Sequence, residues 1–349
     1  MKYTTFGRNT GLRVSELALG TGNFGTGWGY GSEKEQAKQV FDRYVDAGGN
    51  FIDTADAYQF GESEQMVGEF IAADRDHFVV ATKYTLSALP NAGISRTGNS
   101  RKNMISSVEN SLKRLHTDRI DVLWAHFDDQ LTPLEEIVRA FDDLIRAGKI
   151  QYAGLSNFPA WRIARADTMA ELRGWSRIAG VQVEYSLVQR TAERELLPMA
   201  EALGLAVTPW SPLGGGLLTG KYRQSSEGRL KGFGGRLIHV EQDTALLDTV
   251  FAIAQELNAI PVQVAIAWLR YKAARASTSL IPILGSRTLA QLNDTLLALD
   301  ITLSDAQAAR LDEVSAISLG TPHQQIAGTR PRAQGGEGVH YISGWAPRA

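Results

Sequence analysis

Three apolar runs early in the chain end in side chains that can move or stabilise a proton. Phe51-Ile52, set off by Gly48-Gly49, ends in Asp53. Phe78-Val79-Val80-Ala81-Thr82 ends in Lys83, and Ile120-Asp121-Val122-Leu123-Trp124-Ala125 ends in His126. Tyr58 follows Asp53 in the stretch Asp53-Thr54-Ala55-Asp56-Ala57-Tyr58-Gln59-Phe60-Gly61-Glu62-Ser63-Glu64. Short apolar runs bounded by turn residues read as buried strands. Taken singly, the Asp caps a turn, the Lys is solvated, the His is a satisfied core residue and the Tyr is a loop aromatic. Taken together they form a set, because the carboxyl ends of the strands in a parallel barrel converge on one mouth. An acid, an amine, an imidazole and a phenol at one mouth are the parts of general acid–base chemistry.

In this order and context Asp53, Tyr58, Lys83 and His126 match the catalytic tetrad of the aldo-keto reductases, and the chain resembles that family from about Lys2 to about Val314. The resemblance is also carried by Gly154-Leu155-Ser156-Asn157, Gln182-Val183-Glu184-Tyr185-Ser186, Trp210-Ser211-Pro212-Leu213 and Ile283-Leu284-Gly285-Ser286-Arg287. It implies reduction of an aldehyde or ketone to an alcohol. Hydride must come from a nicotinamide, because no side chain supplies it. Tyr58 would be the general acid. A free phenol titrates at about 10, and an adjacent ammonium favours its ionisation. Lys83 would provide that charge, Asp53 would hold Lys83, and His126 would orient the carbonyl oxygen.

For the cofactor, the resemblance implies NADPH across the mouth. Ser156, Asn157 and Gln182 would hold the carboxamide, near Asp53, and Trp210 would stack on the nicotinamide ring. Ser211, Leu213, Gly216 and Lys221 would line the pyrophosphate side, and Gly22 belongs to a glycine-rich loop beside substrate or cofactor. Gly285, Ser286 and Arg287 stand at the amino end of a helical pattern, where backbone N–H groups favour anions. Arg287 adds a charged fork suited to a ribose 2′-phosphate, which points to NADP over NAD. Gln291 and Asp294 match the adenosine side, and Thr295 stands where relatives often carry Asn.

Trp28, Tyr30, Tyr84, Trp124, Phe127 and Tyr185 lie just past or near strand ends and are the expected pocket walls. An aromatic pocket suits an aldehyde, a ketone or a sugar-like carbonyl compound. A second class remains open: potassium-channel β subunits share the fold and cofactor motifs, so the chain would then be a redox-sensing regulatory subunit. A barrel isomerase or lyase would not need the nicotinamide motifs.

The surrounding elements have to hold these groups. Tyr3–Phe6 and Leu12–Ser15 read as a hairpin, which in the family closes the barrel bottom. Strand patterns follow at Leu17–Gly20 and, beyond the three runs above, at Tyr152–Leu155, Val181–Glu184, Ala206–Trp210 and Leu280–Ile283. They alternate with helical patterns, and Ser63 is placed to cap one of these. The expected fold is α/β: a single (β/α)8 TIM barrel over residues 1–317 with an N-terminal β-hairpin. An irregular C-terminal tail follows over 318–349, rich in Gly and Pro. One helical pattern before the last strand is extra to the repeat, and the long Gly-rich stretch Leu213–Val240 reads as a functional loop.

Composition removes several classes. The 349 residues are 44% apolar and 21% charged, with a net charge of −2, so nothing attracts nucleic acid or an anionic membrane globally. There is no cysteine, which excludes thiol chemistry and disulfides. With no signal-like N-terminus and no apolar run long enough to span a bilayer, a cytoplasmic location is expected, with a small-molecule carbonyl substrate as partner and no oligomeric state legible. Gly20-Thr21-Gly22-Asn23-Phe24-Gly25 fits G-x-G-x-x-G, but Thr26-Gly27-Trp28-Gly29 follows where a Rossmann helix must open. Gly215–Gly220 with Lys221 lacks the Ser or Thr of a phosphate loop, having Tyr222 there. The six histidines show no metal-ligand spacing.

Overall fold

The computed structural model describes residues 1–221 and 244–336. The chain begins with an antiparallel hairpin of β1 (Tyr3–Thr5) and β2 (Arg13–Ser15). Eight parallel strands follow: β3 (Ala18–Gly20), β4 (Phe51–Asp53), β5 (Val79–Tyr84), β6 (Ile120–Ala125), β7 (Ile150–Ser156), β8 (Ile178–Glu184), β9 (Ala206–Trp210) and β10 (Ile283–Leu284). Each bonds to the next in chain order, except that β10 pairs with β3. A parallel bridge between Val207 and Leu280, just ahead of β10, draws the other edge together. The sheet is thus the (β/α)8 barrel expected from the alternating pattern.

Helices α1 (Lys34–Asp46), α2 (Glu62–Ile71), α3 (Arg101–Arg114), α4 (Leu134–Arg146), α5 (Ala160–Arg173) and α6 (Leu196–Leu203) alternate with the strands from β3 to β9. Two helices, α7 (Thr244–Glu256) and α8 (Pro261–Ala273), stand before β10, and α9 (Leu289–Leu296) and α10 (Asp305–Val314) follow it. The extra helical pattern is therefore real. No single helix among the described residues is long and apolar enough to cross a membrane. From Ser318 the expected irregularity is interrupted by α11 (His323–Ala333), none of whose residues is buried. Its Pro331 lies close to the end, where a lost i→i−4 bond breaks little helix. The Leu213–Val240 stretch starts with a 3-10 turn at Gly214–Thr219, and its part from 222 on lies outside the described residues, as does 337–349 of the tail.

Because strand side chains alternate, each barrel strand feeds two cores. Phe51, Val79, Ala81, Val122, Trp124 and Ala206 fill the inside, while Ile52, Val80, Leu123, Leu155, Val181 and Val207 pack under the helices. Phe6, from the turn of the hairpin, enters the inner core and meets Phe51 edge-on at 5.7 Å and Trp124 at 6.1 Å. Burying such a ring stabilises by about 1.5–3 kcal/mol. The hairpin thus seals the end of the barrel opposite Asp53, Lys83 and His126. Gly154 is dictated by this packing: a Cβ there would come within 2.3 Å of the Trp124 ring.

Candidate active site

The same alternation aims the candidate groups. On β4, Phe51 and Asp53 point inward on either side of outward Ile52, and on β5 Ala81 and Lys83 do the same around Thr82. His126 immediately follows outward Ala125 of β6. Tyr58 opens a 3-10 turn, Tyr58–Gly61, between β4 and α2. Ser63 does not cap α2, which starts at Glu62 with left-handed Gly61 before it. The Ser63 hydroxyl is buried instead, bonded to the Thr54 hydroxyl at 2.9 Å and the Thr21 carbonyl at 2.8 Å, so it ties the loops after β3 and β4 together.

Lys83 is the hub. Its ammonium donates to Asp53 Oδ2 at 2.5 Å, to the Thr54 carbonyl at 2.7 Å and to the Tyr58 hydroxyl oxygen at 3.1 Å. Three donors have three acceptors, so the charge is satisfied although the side chain is fully buried. Burial works against that charge, but the Asp53 carboxylate and the Tyr58 phenol outweigh it and hold the Lys83 pKa above its ordinary value. Because the phenol oxygen accepts from Lys83, its own proton remains free to donate elsewhere. The other Asp53 oxygen accepts from Gln182 Nε2 at 2.8 Å.

The His126 ring faces Tyr58 at 5.9 Å between centroids, nearly perpendicular, and stacks on Phe127 at 4.8 Å. Burial and the Lys83 charge push the imidazole pKa well below its usual value, so it is neutral near pH 7. Its backbone N–H is bonded to the Tyr84 carbonyl and the Thr85 hydroxyl. These four groups therefore form one cluster.

The cofactor candidates form two surfaces around that cluster. Asn157, with φ of 56°, donates to the His126 carbonyl and to Ser156 Oγ and accepts from Trp210 Nε1 at 3.1 Å. The Trp210 ring is thus fixed in orientation and stays partly exposed. In this arrangement the Asn157 and Gln182 amide NH2 groups already serve His126 and Asp53, and the Ser156 hydroxyl and Gln182 Oε1 remain for a ligand. The Ser211 hydroxyl accepts from Gly215 N–H at the start of the turn that carries Leu213 and Gly216, and the Lys221 side chain lies against Gly216.

On the far side, Gly285 and Arg287 are exposed and Ser286 is buried, just ahead of Thr288, which caps α9. The Arg287 guanidinium forms no ion pair among the described residues, and the Arg287 backbone N–H donates to Gln291 Oε1 at 2.9 Å. Gln291 and Asp294 are exposed on the same helix, whereas Thr295 is buried and donates to the Gln291 carbonyl, which takes it away from any ligand there.

The pocket residues divide. Trp28 meets Tyr58 edge-on at 6.0 Å and Phe127 covers His126, so these two border the cluster, and Tyr30 packs behind them against Trp28 at 6.0 Å. Gly22 also lies there, its Cβ position 3.7 Å from the Tyr58 ring. Tyr84, Trp124 and Tyr185 do not line it. Strand alternation sends Tyr84 and Tyr185 outward, where Tyr84 packs on Phe141 and Tyr185 on Trp268 and Glu193. Trp124 points inward but one layer too deep, against Phe6.

Sequence reasoning passed over three nearby polar residues. Glu184 sits two residues beyond Gln182 on β8, level with Trp210, and burial lifts its carboxyl from 4.5 to about 7. The alternation that selected Gln182 also selects it. Asp56 is fully buried, and burial together with the neighbouring Glu64 carboxylate, only partly countered by Arg114, raises it to about 8. Gln59, next to Tyr58, is fully buried and bonds across to the Trp28 loop. The described residues contain no group of side chains that could hold a metal ion.

Residues 16–316 match the model of the aldo/keto reductase family. A Bacillus subtilis protein named an uncharacterized oxidoreductase is 38% identical over 323 residues, 90% of this chain and 96% of that one. A norsolorinic acid reductase of Aspergillus flavus is 34% identical over 323 residues, 90% of this chain and 81% of its own. An aryl-alcohol dehydrogenase of Pestalotiopsis microspora is 34% identical over 324 residues, covering 90% and 82%.

Proposed function

The chain belongs to the aldo/keto reductase family of oxidoreductases, and from that premise we propose that it reduces an aryl aldehyde or ketone to the alcohol with NADPH. The observation that carries the proposal is the Lys83 ammonium held between Asp53 and the Tyr58 hydroxyl, with a neutral imidazole facing the phenol. A bound nicotinamide supplies hydride to the carbonyl carbon. Ser156 and Gln182 have the donor and acceptor its carboxamide needs, and the Arg287 fork beside the start of α9, which pairs with no carboxylate among the described residues, suits a 2′-phosphate.

This chain's own residues handle the oxygen. Substrate carbonyl oxygen sits between the Tyr58 hydroxyl and the His126 ring, which donates a hydrogen bond as a neutral imidazole. As negative charge develops on that oxygen, Tyr58 transfers its proton to it. Lys83 stabilises the phenolate that remains, and Asp53, oriented by Gln182, keeps Lys83 in place.

Trp28 and Phe127 offer aromatic surfaces beside the acid, and a relative named an aryl-alcohol dehydrogenase favours an aryl carbonyl over a sugar. The test is a panel of aryl, aliphatic and sugar carbonyls with NADPH and NADH, followed by cofactor oxidation. Aryl aldehydes with NADPH should turn over fastest. Nicotinamide binding without turnover of any carbonyl would refute the enzyme and favour a regulatory nicotinamide-binding protein.

A further inference from the structure

We propose that Gln59 is a positioning residue that sets the substrate class by clamping the Trp28 wall against the turn that carries Tyr58. The kinetic part of this inference rests on the reductase reading above. Gln59 follows Tyr58 directly and is fully buried. Its Oε1 accepts the Trp28 N–H at 2.9 Å, and its Nε2 donates to the Gly22 carbonyl at 3.0 Å. One side chain thus grips both ends of the segment from Gly22 to Trp28. Glu62, three residues on, accepts from the Thr26 N–H at 2.7 Å and the Gly27 N–H at 3.2 Å.

The turn and the loop are also fitted sterically. A Cβ at Gly27 would lie 2.7 Å from the Gln59 carbonyl oxygen, so only glycine lets the loop lie this close. Gln59 and Phe60 both occupy the left-handed region, with φ of 50° and 55°, a conformation that L-residues hold only when their surroundings fix it. The bonds to the Trp28 loop supply that fixation. The same bonds set where Trp28 stands, and Trp28 meets the Tyr58 ring at 83°. Wall and acid make a corner into which a planar aryl group fits while its carbonyl reaches the phenol.

The outer parts of the loop are anchored elsewhere. Asn23 Nδ2 donates to the Gly285 carbonyl at 2.9 Å, and the Ser32 hydroxyl donates to the Arg287 carbonyl at 2.7 Å. Loss of the Gln59 amide therefore loosens the Trp28 segment, and the Gly285–Arg287 segment keeps its loop contacts. The effect should fall on aryl substrate recognition and only secondarily on cofactor affinity.

The test uses the full chain with Gln59→Met, which keeps the length and removes both bonds, alongside Trp28→Ala and the double variant. Amide exchange across 22–28 should quicken by about tenfold, the scale of one hydrogen bond. The ratio of kcat/KM for an aryl aldehyde to that for a small aliphatic one should fall by about tenfold in Gln59→Met, mainly through KM. If Gln59 acts through Trp28, the same substitution should not lower the ratio further in the Trp28→Ala background. Unchanged exchange, an unchanged ratio, or effects of the two substitutions that simply multiply would each overturn the proposal. If the wild type reduces no carbonyl, the reductase reading falls, and unchanged exchange would still overturn the clamp by itself. Should Gln59→Met fail to fold, Glu62→Gln loosens the neighbouring anchor and should shift exchange and ratio in the same direction by less.

Discussion

Tyr58→Phe separates the chemistry of the phenol from its packing. The substitution keeps the ring that Trp28 and His126 touch and removes one hydroxyl. In the fold that hydroxyl accepts a single bond, from Lys83 at 3.1 Å, and Lys83 retains Asp53 at 2.5 Å and the Thr54 carbonyl at 2.7 Å. The expected loss of stability is therefore that of one hydrogen bond, about 1 kcal/mol. The expected loss of rate is much larger. General acid catalysis contributes about a hundredfold or more, equivalent to about 2.7 kcal/mol at the transition state. Single-turnover oxidation of bound NADPH by an aryl aldehyde measures the second quantity, and urea unfolding of the same sample measures the first. A small stability change with a hundredfold slower transfer supports Tyr58 as the acid. Transfer at the wild-type rate by folded protein refutes it and leaves His126, whose ring faces Tyr58, as the candidate donor.

Three further outcomes follow from the same geometry. Lys83→Met strands the buried Asp53 carboxylate and should cost about 3–5 kcal/mol in urea unfolding, while Asp53→Asn combined with it should recover much of that loss; equal stability of single and double variants would sink the buried-pair argument. Arg287→Ala should weaken NADPH binding by about tenfold to a hundredfold and NADH binding little, measured by fluorescence titration, and equal losses would count against a 2′-phosphate contact. Glu184 is raised from 4.5 to about 7, so its contribution to stability is complete below the lower value and lost as pH rises through the upper one. Glu184→Gln should accordingly gain stability relative to wild type at about pH 8 compared with about pH 5, and a pH-independent difference in urea midpoint would refute the shift.

Much of the barrel and its candidate site was readable because both rest on local patterns. Period-two burial identifies strands, 3.6-residue spacing identifies helices, and their strict alternation leaves a parallel barrel. Once the barrel is granted, Asp53, Lys83 and His126 at strand ends must meet. Nearness to a strand end was a poorer guide for the aromatics, because it ignores the face on which a side chain leaves the strand. Tyr84 is adjacent to Lys83 and Tyr185 is three residues past Gln182, so both point away from the mouth. Ser63 misled for a related reason: it has the chemistry of a cap, but the loops after β3 and β4 offered it buried partners.

Asp53, Tyr58, Lys83 and His126, the strands at whose ends three of them stand and the loop that carries the fourth were determined by the sequence itself, since each depends on residues within a few positions. Which donors serve whom was decided only by the tertiary structure. Gln182 turns to Asp53 across the barrel, Asn157 bridges His126 and Trp210, and Gln59 reaches the Trp28 loop. These bonds join residues far apart in the chain, and their formation depends on distances of a few tenths of an ångström. No spacing rule encodes such distances, because they arise only when the closed sheet brings separate loops into one small volume.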